Sequence, residues 1–119
     1  MKKNIIFLLF LFSITAIYAL DKPTIMVKSN GYEQIENETK SCLQEYGYKI
    51  VEQDPDYIIL ITNYFSIKGG IIINFSITNC LTNKVTRKSV SYIEQQGSTK
   101  GKNITKKIIE FLFQEKWYS

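Results

Sequence analysis

The sequence contains no histidine in its 119 residues. Histidine is the usual base of serine and cysteine hydrolases and the commonest metal ligand, so its absence excludes Ser-His-Asp and Cys-His catalysis and ordinary zinc sites. Alanine is nearly absent as well, since Ala16 and Ala19 are the only two. Clustered carboxylates suited to acid–base work are also lacking. We therefore predict that the protein is not an enzyme and uses no cofactor or metal.

Cysteine is scarce, with Cys42 and Cys80 as the only two thiols. In an oxidising compartment the two could form a disulfide. The predicted geometry is mildly against a disulfide. Cys42 falls on the apolar stripe of a predicted helix that should pack on the apolar face of the sheet, whereas the position of Cys80 in its strand directs its side chain to the other face. Cys80 lies near a strand end, where parity can break, so a disulfide and two free thiols both remain open.

The N-terminus has the pattern of a secretory signal peptide. Lys2-Lys3 precedes an apolar core, Ile5–Ile14, which is too short to span a bilayer, and Ala19 offers a small residue for cleavage. We predict a signal peptide at residues 1–19 and a single α+β domain at residues 20–119, with an uncleaved membrane anchor as the alternative. After cleavage no transmembrane span is expected, and the predicted location is periplasmic or secreted.

The apparent basicity of the chain comes partly from this leader. The 15 basic residues include Lys2 and Lys3, so the chain after residue 19 keeps 13 against 11 acidic residues, a net charge of +2. A domain with so small a charge and no basic cluster gives no reason to expect nucleic acid as a partner.

Two apolar runs within Asp54–Asn79 predict a β-hairpin. They are rich in Ile, Tyr and Phe and are joined by Lys68-Gly69-Gly70. A two-residue Gly-Gly turn would oppose polar with apolar side chains, so we predict a three-residue loop with glycine in the left-handed conformation. The predicted pairs are Phe65 with Ile73, Asn63 with Phe75 and Ile61 with Ile77.

The remaining elements complete an α+β fold. Strands are predicted at residues 23–28, 48–52 and 85–95, and helices at Tyr32–Tyr46 and Asn103–Trp117. Gly47 is expected to end the first helix. A turn centred on Thr82-Asn83 would place Val90 opposite Phe75 and Tyr92 opposite Ile73. The fold class that we predict is a two-layer sandwich of order βαβββα, with a mostly antiparallel sheet and both helices on one face.

Three other patterns resemble functional sites, but a structural role explains each of them more simply. Gly97–Lys102 follows a strand and opens a helix, yet it has three residues between its glycines and no Ser or Thr after the lysine, so it is not a phosphate-binding loop. Asp54 and Asp56 flank a proline in a turn, where Asp is common. The glutamates of the first helix, Glu33, Glu36 and Glu38, are expected to form a solvated face.

One sheet face is predicted to be polar and uncovered, because both helices would lie on the other. Such a face is often merely solvated, and a partner-binding platform is the alternative. Tyr64 and Arg87 are the residue types on it that interfaces favour. The face comprises Thr62, Tyr64, Asn74, Ser76, Thr78, Arg87, Ser89 and Ser91.

The order of motifs resembles a group of small exported bacterial envelope domains of the lipoprotein type. The motifs are a helix ending in Leu43–Tyr48, the run Asp54–Ile59, a turn at Leu81–Lys84 and a closing helix. They are similar to the N-terminal-type domains of TolB, the curli-secretion lipoprotein and the penicillin-binding-protein activators. The chain departs from them in lacking a lipid-anchor cysteine after the apolar core.

The resemblance implies an interaction module without catalytic residues. The predicted function is therefore a non-enzymatic binding or adaptor module of the bacterial cell envelope, with an envelope protein as its possible partner. The alternative is a small secreted inhibitor of cystatin-like architecture, although the closing helix argues against it. The oligomeric state and the order of the first two strands are left open.

Overall fold

The computed structural model describes residues 22–93 and 100–115, and these form two helices and five strands. The predicted signal peptide, the Gly97–Thr99 loop and Trp117 lie outside the described residues. The elements are β1 (Thr24–Ser29), α1 (Glu33–Glu45), β2 (Lys49–Ile50), β3 (Tyr57–Ile67), β4 (Gly70–Asn79), β5 (Lys84–Ile93) and α2 (Lys100–Gln114).

The five strands form one sheet in the order β2-β1-β3-β4-β5. β1 lies between β2 and β3 and is parallel to both, whereas β3, β4 and β5 form an antiparallel meander. The predicted α+β sandwich with a mostly antiparallel sheet is confirmed. The observed order is βαββββα. The predicted order βαβββα is one strand short, although all five of the strands predicted one by one are present, and the strand predicted at residues 48–52 is the two-residue edge strand β2 beside β1.

Helix α1 ends where the sequence predicts, at a glycine with positive φ. Gly47 has φ +91° and its N–H bonds to the Gln44 carbonyl at 2.9 Å, while the Tyr48 N–H bonds to the Leu43 carbonyl at 3.1 Å. These two bonds make a Schellman motif, which satisfies carbonyls that the helix itself leaves unpaired. Tyr48 and Leu43 are both buried, so the chain turns directly into the core.

The core lies between the sheet and both helices. The strands contribute alternate residues, as period-two side-chain geometry requires, and Ile73 and Ile77 of β4 are fully buried. Leu43 from α1 and Ile104, Ile108 and Leu112 from α2 close it from the other side. The predicted core role of Ile71, Ile73, Phe75 and Ile77 is confirmed.

The helices touch each other at a glycine. A β-carbon on Gly101 of α2 would lie 2.5 Å from the Glu38 β-carbon and 2.6 Å from the Thr39 nitrogen of α1, closer than side chains approach. Two threonines, Thr39 and Thr105, are fully buried at this level, and each hydroxyl donates to a carbonyl one turn earlier in its own helix. Small residues therefore let both helices fit over one face of the sheet.

The register predicted for the β3–β4 hairpin is wrong. Ile67 pairs with Gly70, so the turn has two residues, Lys68 and Gly69, and Gly69 takes the positive φ of +71°. A bulge between Ile61 and Asn63 adds one residue to β3. A bulge reverses the parity of side chains beyond it, so Ile61 and Ile59 gain the apolar partners Phe75 and Ile77, although Ser66 near the turn still pairs with Ile71.

The β4–β5 register also differs, although its faces do not. Val90 pairs with Ile73 and Tyr92 with Ile71, a shift of two residues from the prediction, and a two-residue shift preserves parity. The longer turn that causes the shift is held by Asn79, whose side-chain oxygen accepts the Leu81 N–H at 3.0 Å.

Candidate functional site

The face of the sheet opposite the helices is the candidate site, and we call it the open face. It consists of the strand side chains that point away from the core and alternate along each strand with the buried ones. Among the residues that the structure describes, no helix packs on it. In β4 and β5 its polar members lie in register, since Ser76 pairs with Arg87 and Asn74 pairs with Ser89.

Seven of the eight predicted residues lie on the open face. They are Thr62, Asn74, Ser76, Thr78, Arg87, Ser89 and Ser91. Most of them line a shallow depression of about 650 Å³ across the middle of the sheet, together with Leu60 and Asn63. We give the name polar band to Thr62, Asn63, Asn74, Ser76, Arg87 and Ser89, which all line it. The Thr62 hydroxyl donates to the Asn74 carbonyl at 3.1 Å, which ties the bulge to the neighbouring strand.

Tyr64 is the exception, and its predicted place on the open face is wrong. Because the bulge reverses parity, Tyr64 pairs with the buried Ile73 and lies on the helix side. Its ring packs edge-on against Tyr32 with centroids 6.3 Å apart, and the Lys100 ammonium lies 5.3 Å from its centroid. These three side chains border a small cleft of about 240 Å³ between the two helix N-termini.

The open face is also less polar than predicted. At the β3–β4 turn it carries large exposed side chains, and we call Phe65, Ile67, Lys68 and Ile93 the hairpin tip. At the opposite end it carries Ile58 and Val85, which lie on either side of Thr78. The open face thus has two apolar ends separated by the polar band. The sequence does not predict the tip, because only the bulge in β3 places Phe65 and Ile67 on this face instead of the buried one.

The charges of the chain are divided between its two halves. Residues 22–56 hold seven acidic and four basic residues, whereas residues 57–93 hold four basic residues and no Asp or Glu at all. The four are Lys68, Lys84, Arg87 and Lys88. This acid-free stretch is visible in the sequence and would have directed attention to the meander.

The acidic groups of the other half have structural partners. The Asp56 carboxylate accepts the Thr24 N–H at 2.9 Å and fastens the turn before β3 to the start of β1. Glu36 accepts from the Ser29 hydroxyl at 2.9 Å, and Glu38 accepts the Gly101 N–H at 3.2 Å. The prediction that Glu36 and Glu38 form a merely solvated face is therefore wrong, because each joins two elements.

Cys42 and Cys80 are free thiols in this structure, and both are partly buried. Loss of solvent raises the pKa of each thiol above its ordinary value, with nearby carboxylates of Glu45 and Asp56 adding to the effect. A raised pKa keeps a thiol protonated and poorly nucleophilic at neutral pH. Within the described residues no group of three or more potential ligand side chains is placed to hold a metal ion.

No family model matches the chain, and no curated protein matches its sequence. Several solved structures share its general arrangement at low identity. A PelC dodecamer from Paraburkholderia phytofirmans is 11% identical with a TM-score of 0.49, over 72% of this chain and 85% of that one. A minor lipoprotein from Acinetobacter baumannii is 12% identical with a TM-score of 0.40, over 80% of this chain and 81% of that one.

These likenesses are too weak to bear on activity, partner or assembly. The resemblance to the TolB, curli-secretion and penicillin-binding-protein-activator domains is not tested by them and stays a prediction. Among the described residues no helix is long and apolar enough to cross a membrane.

Proposed function

We propose that the protein is a non-enzymatic, exported binding or adaptor module of the bacterial cell envelope. The observation that carries the proposal is the open face itself, a sheet surface on which apolar ends flank a polar band. Interfaces combine apolar contact with a few polar groups that fix orientation, and arginine is enriched in them. Arg87 lies within the polar band and lines its depression.

Export is supported by the N-terminal pattern of Lys2-Lys3, Ile5–Ile14 and Ala19. The non-enzymatic character is supported by the lack of histidine in the whole sequence and by the structural use of Asp56, Glu36 and Glu38. No specific observation favours the cystatin-like alternative, since α2 packs against α1 and closes half of the core.

A site-specific crosslink tests the binding role. A photoreactive amino acid replaces Ser89 in the polar band, and a matched variant carries it at Lys106, which is exposed on α2. After irradiation of intact cells we expect one discrete adduct from position 89 that is missing from position 106. An Arg87→Ala change in the position-89 variant should weaken that adduct. Identical adducts at both positions, or none at position 89, would refute a partner on the open face.

Export is tested separately by the N-terminus of the protein recovered from the envelope or medium. Mass spectrometry should find a chain that begins at Leu20. A chain that retains Met1 and fractionates with the cytosol would contradict the export part of the proposal while leaving the crosslinking result intact.

A further inference from the structure

The β3–β4 hairpin projects beyond the rest of the parallel half of the sheet. β1 pairs with β3 only as far as Ile61, and the last six residues of β3, Thr62–Ile67, continue past the end of β1. At about 3.3 Å per residue the extension is about 20 Å long. Residues 65–69 at its end are all exposed.

The exposed residues at this end are large and apolar. Phe65 is 49% exposed, Ile67 55% and Ile93 70%. Strand pairing places them on one face at one end of the meander, because Ile67 and Ile93 pair with Gly70 from opposite sides and Phe65 pairs with Ile72, which is itself partly exposed. Single exposed hydrophobic residues need no explanation, but a contiguous group at a projecting turn marks an interaction site.

The charges around the tip select the kind of surface that it meets. Lys68 lies in the turn itself, and residues 57–94 hold four basic residues against a single acidic one, Glu94, which follows Ile93. Two copies facing each other through this surface would bring like charges together, which argues against a second copy as the occupant. An anionic surface is complementary to it.

We propose that the hairpin tip docks the protein onto an anionic lipid bilayer, with Phe65, Ile67 and Ile93 in the headgroup region and Lys68 among the lipid phosphates. The three-stranded end of the meander can enter a deformable lipid interface, whereas a protein partner would have to supply a matching surface. Apolar burial together with cations near anionic lipids is the combination that holds peripheral proteins on membranes.

Docking in this way leaves the polar band free. Arg87 and Ile93 are both on β5, six residues apart, so Arg87 lies about 20 Å from the inserted end. The membrane proposal therefore does not depend on the partner-binding role of the open face, and either can fail without the other.

Vesicle co-sedimentation tests the proposal. The chain from Leu20 onward is used, because the apolar segment Ile5–Ile14 would bind lipid by itself. Of the residues that the structure describes, those of the buried core all lie from Ile25 to Leu112. We expect sedimentation with vesicles of phosphatidylglycerol and phosphatidylcholine, and much less with phosphatidylcholine alone or at high salt.

The variants compare the turns at the two ends of β4. A Phe65→Ser, Ile67→Ser double variant should lose about tenfold or more in binding. The matched control is Leu81→Ser in the β4–β5 turn at the far end of β4, where Leu81 is 91% exposed, and it should bind as the unchanged protein does. Lys68→Glu should weaken binding to the anionic vesicles only. Circular dichroism confirms that each variant is folded.

A fluorescence measurement locates the inserted end independently. Phe65→Trp is made in a Trp117→Phe background, since Trp117 is the only tryptophan of the chain. Brominated lipids should quench Trp at position 65 and leave Trp at position 81, from Leu81→Trp, unquenched. The proposal is overturned if the unchanged protein stays in the supernatant, if Leu81→Ser loses as much binding as the double variant, or if both tryptophans are quenched equally.

Discussion

The two faces of β4 are built from similar residues but have different surroundings. Ile71, Ile73 and Ile77 point to the helices and are almost completely buried, whereas Ile72 lies between them in sequence and points to the open face, where it is half-buried. Both kinds of position hold β-branched residues that suit a strand. The difference shows that strand preference does not decide burial here, and that the covering helices do.

The largest expected effect comes from a matched pair of substitutions on β4. Ile73→Ala removes buried methyl groups and leaves a cavity, so it should lower the free energy of unfolding by about 3–4 kcal/mol. Ile72→Ala should cost only about 1 kcal/mol, because its side chain is partly in water and neither of the described helices covers it. Urea unfolding of both variants measures the difference. Equal losses would mean that the open face is covered in solution.

The contact between the helices gives the next largest effect. Gly101→Ala places a β-carbon 2.5 Å from the Glu38 β-carbon, so the helices must separate, and we expect a loss of about 2–3 kcal/mol. The sign is informative, because at an exposed helical position the same change would stabilise by about 1 kcal/mol. Lys102→Ala, on the exposed side of α2, is the control. Stabilisation by Gly101→Ala in thermal unfolding would contradict the close approach.

A smaller effect is expected where α1 caps α2. Glu38→Ala removes the acceptor of the Gly101 N–H at the start of α2 and should cost about 1 kcal/mol. Glu33→Ala, on the exposed side of α1, should change stability by less than about 0.5 kcal/mol. If the two variants unfold at the same denaturant concentration, the bond between the helices contributes nothing.

The smallest effect belongs to the ion pair at the β1–β2 edge. The Lys28 ammonium donates to the Glu52 carboxylate at 2.6 Å, and this hydrogen bond and the opposite charge lower the pKa of Glu52. Because the pKa is lowered, the pair stabilises the folded state at pH values above 4.5, the ordinary pKa of a glutamate. This stabilisation is lost as the pH falls through the folded-state pKa.

Both groups of this pair are exposed, so we expect only a slight change from Glu52→Gln at pH 7 and none once the pH has fallen below the lowered pKa of Glu52. The midpoint of urea unfolding across this pH range measures it. A difference that grows as the solution becomes more acidic would have the wrong sign and would exclude the pair as its cause.

Prediction succeeded where the deciding interactions were local. The α1 end at Gly47 and the alternation in β4 follow from φ preferences and from the two-residue period of a strand, which are properties of short segments. The hairpin between β3 and β4 was recognised for the same reason. The site was partly predictable, because seven of its eight residues depended only on parity within β4, β5 and the middle of β3.

Prediction failed where a distant element decided the outcome. The bulge at Thr62 cannot be read from the composition of β3, and it moved Tyr64 to the helix side and Phe65 to the open face. Glu38 resembled any exposed helical glutamate until α2 brought the Gly101 N–H to it. The apolar hairpin tip could be recognised only once strand pairing had placed Ile67 and Ile93 on either side of Gly70.

The kinds of segment in this protein can be predicted from short stretches of its sequence, because the preferences of β-branched residues and of glycine act within a few residues. The place of β1 between β2 and β3, the sheet face that the helices cover and the position of the bulge cannot be predicted in this way. These choices depend on packing between segments far apart in the chain, where burying one complete set of isoleucines outweighs the local fit of any single pair.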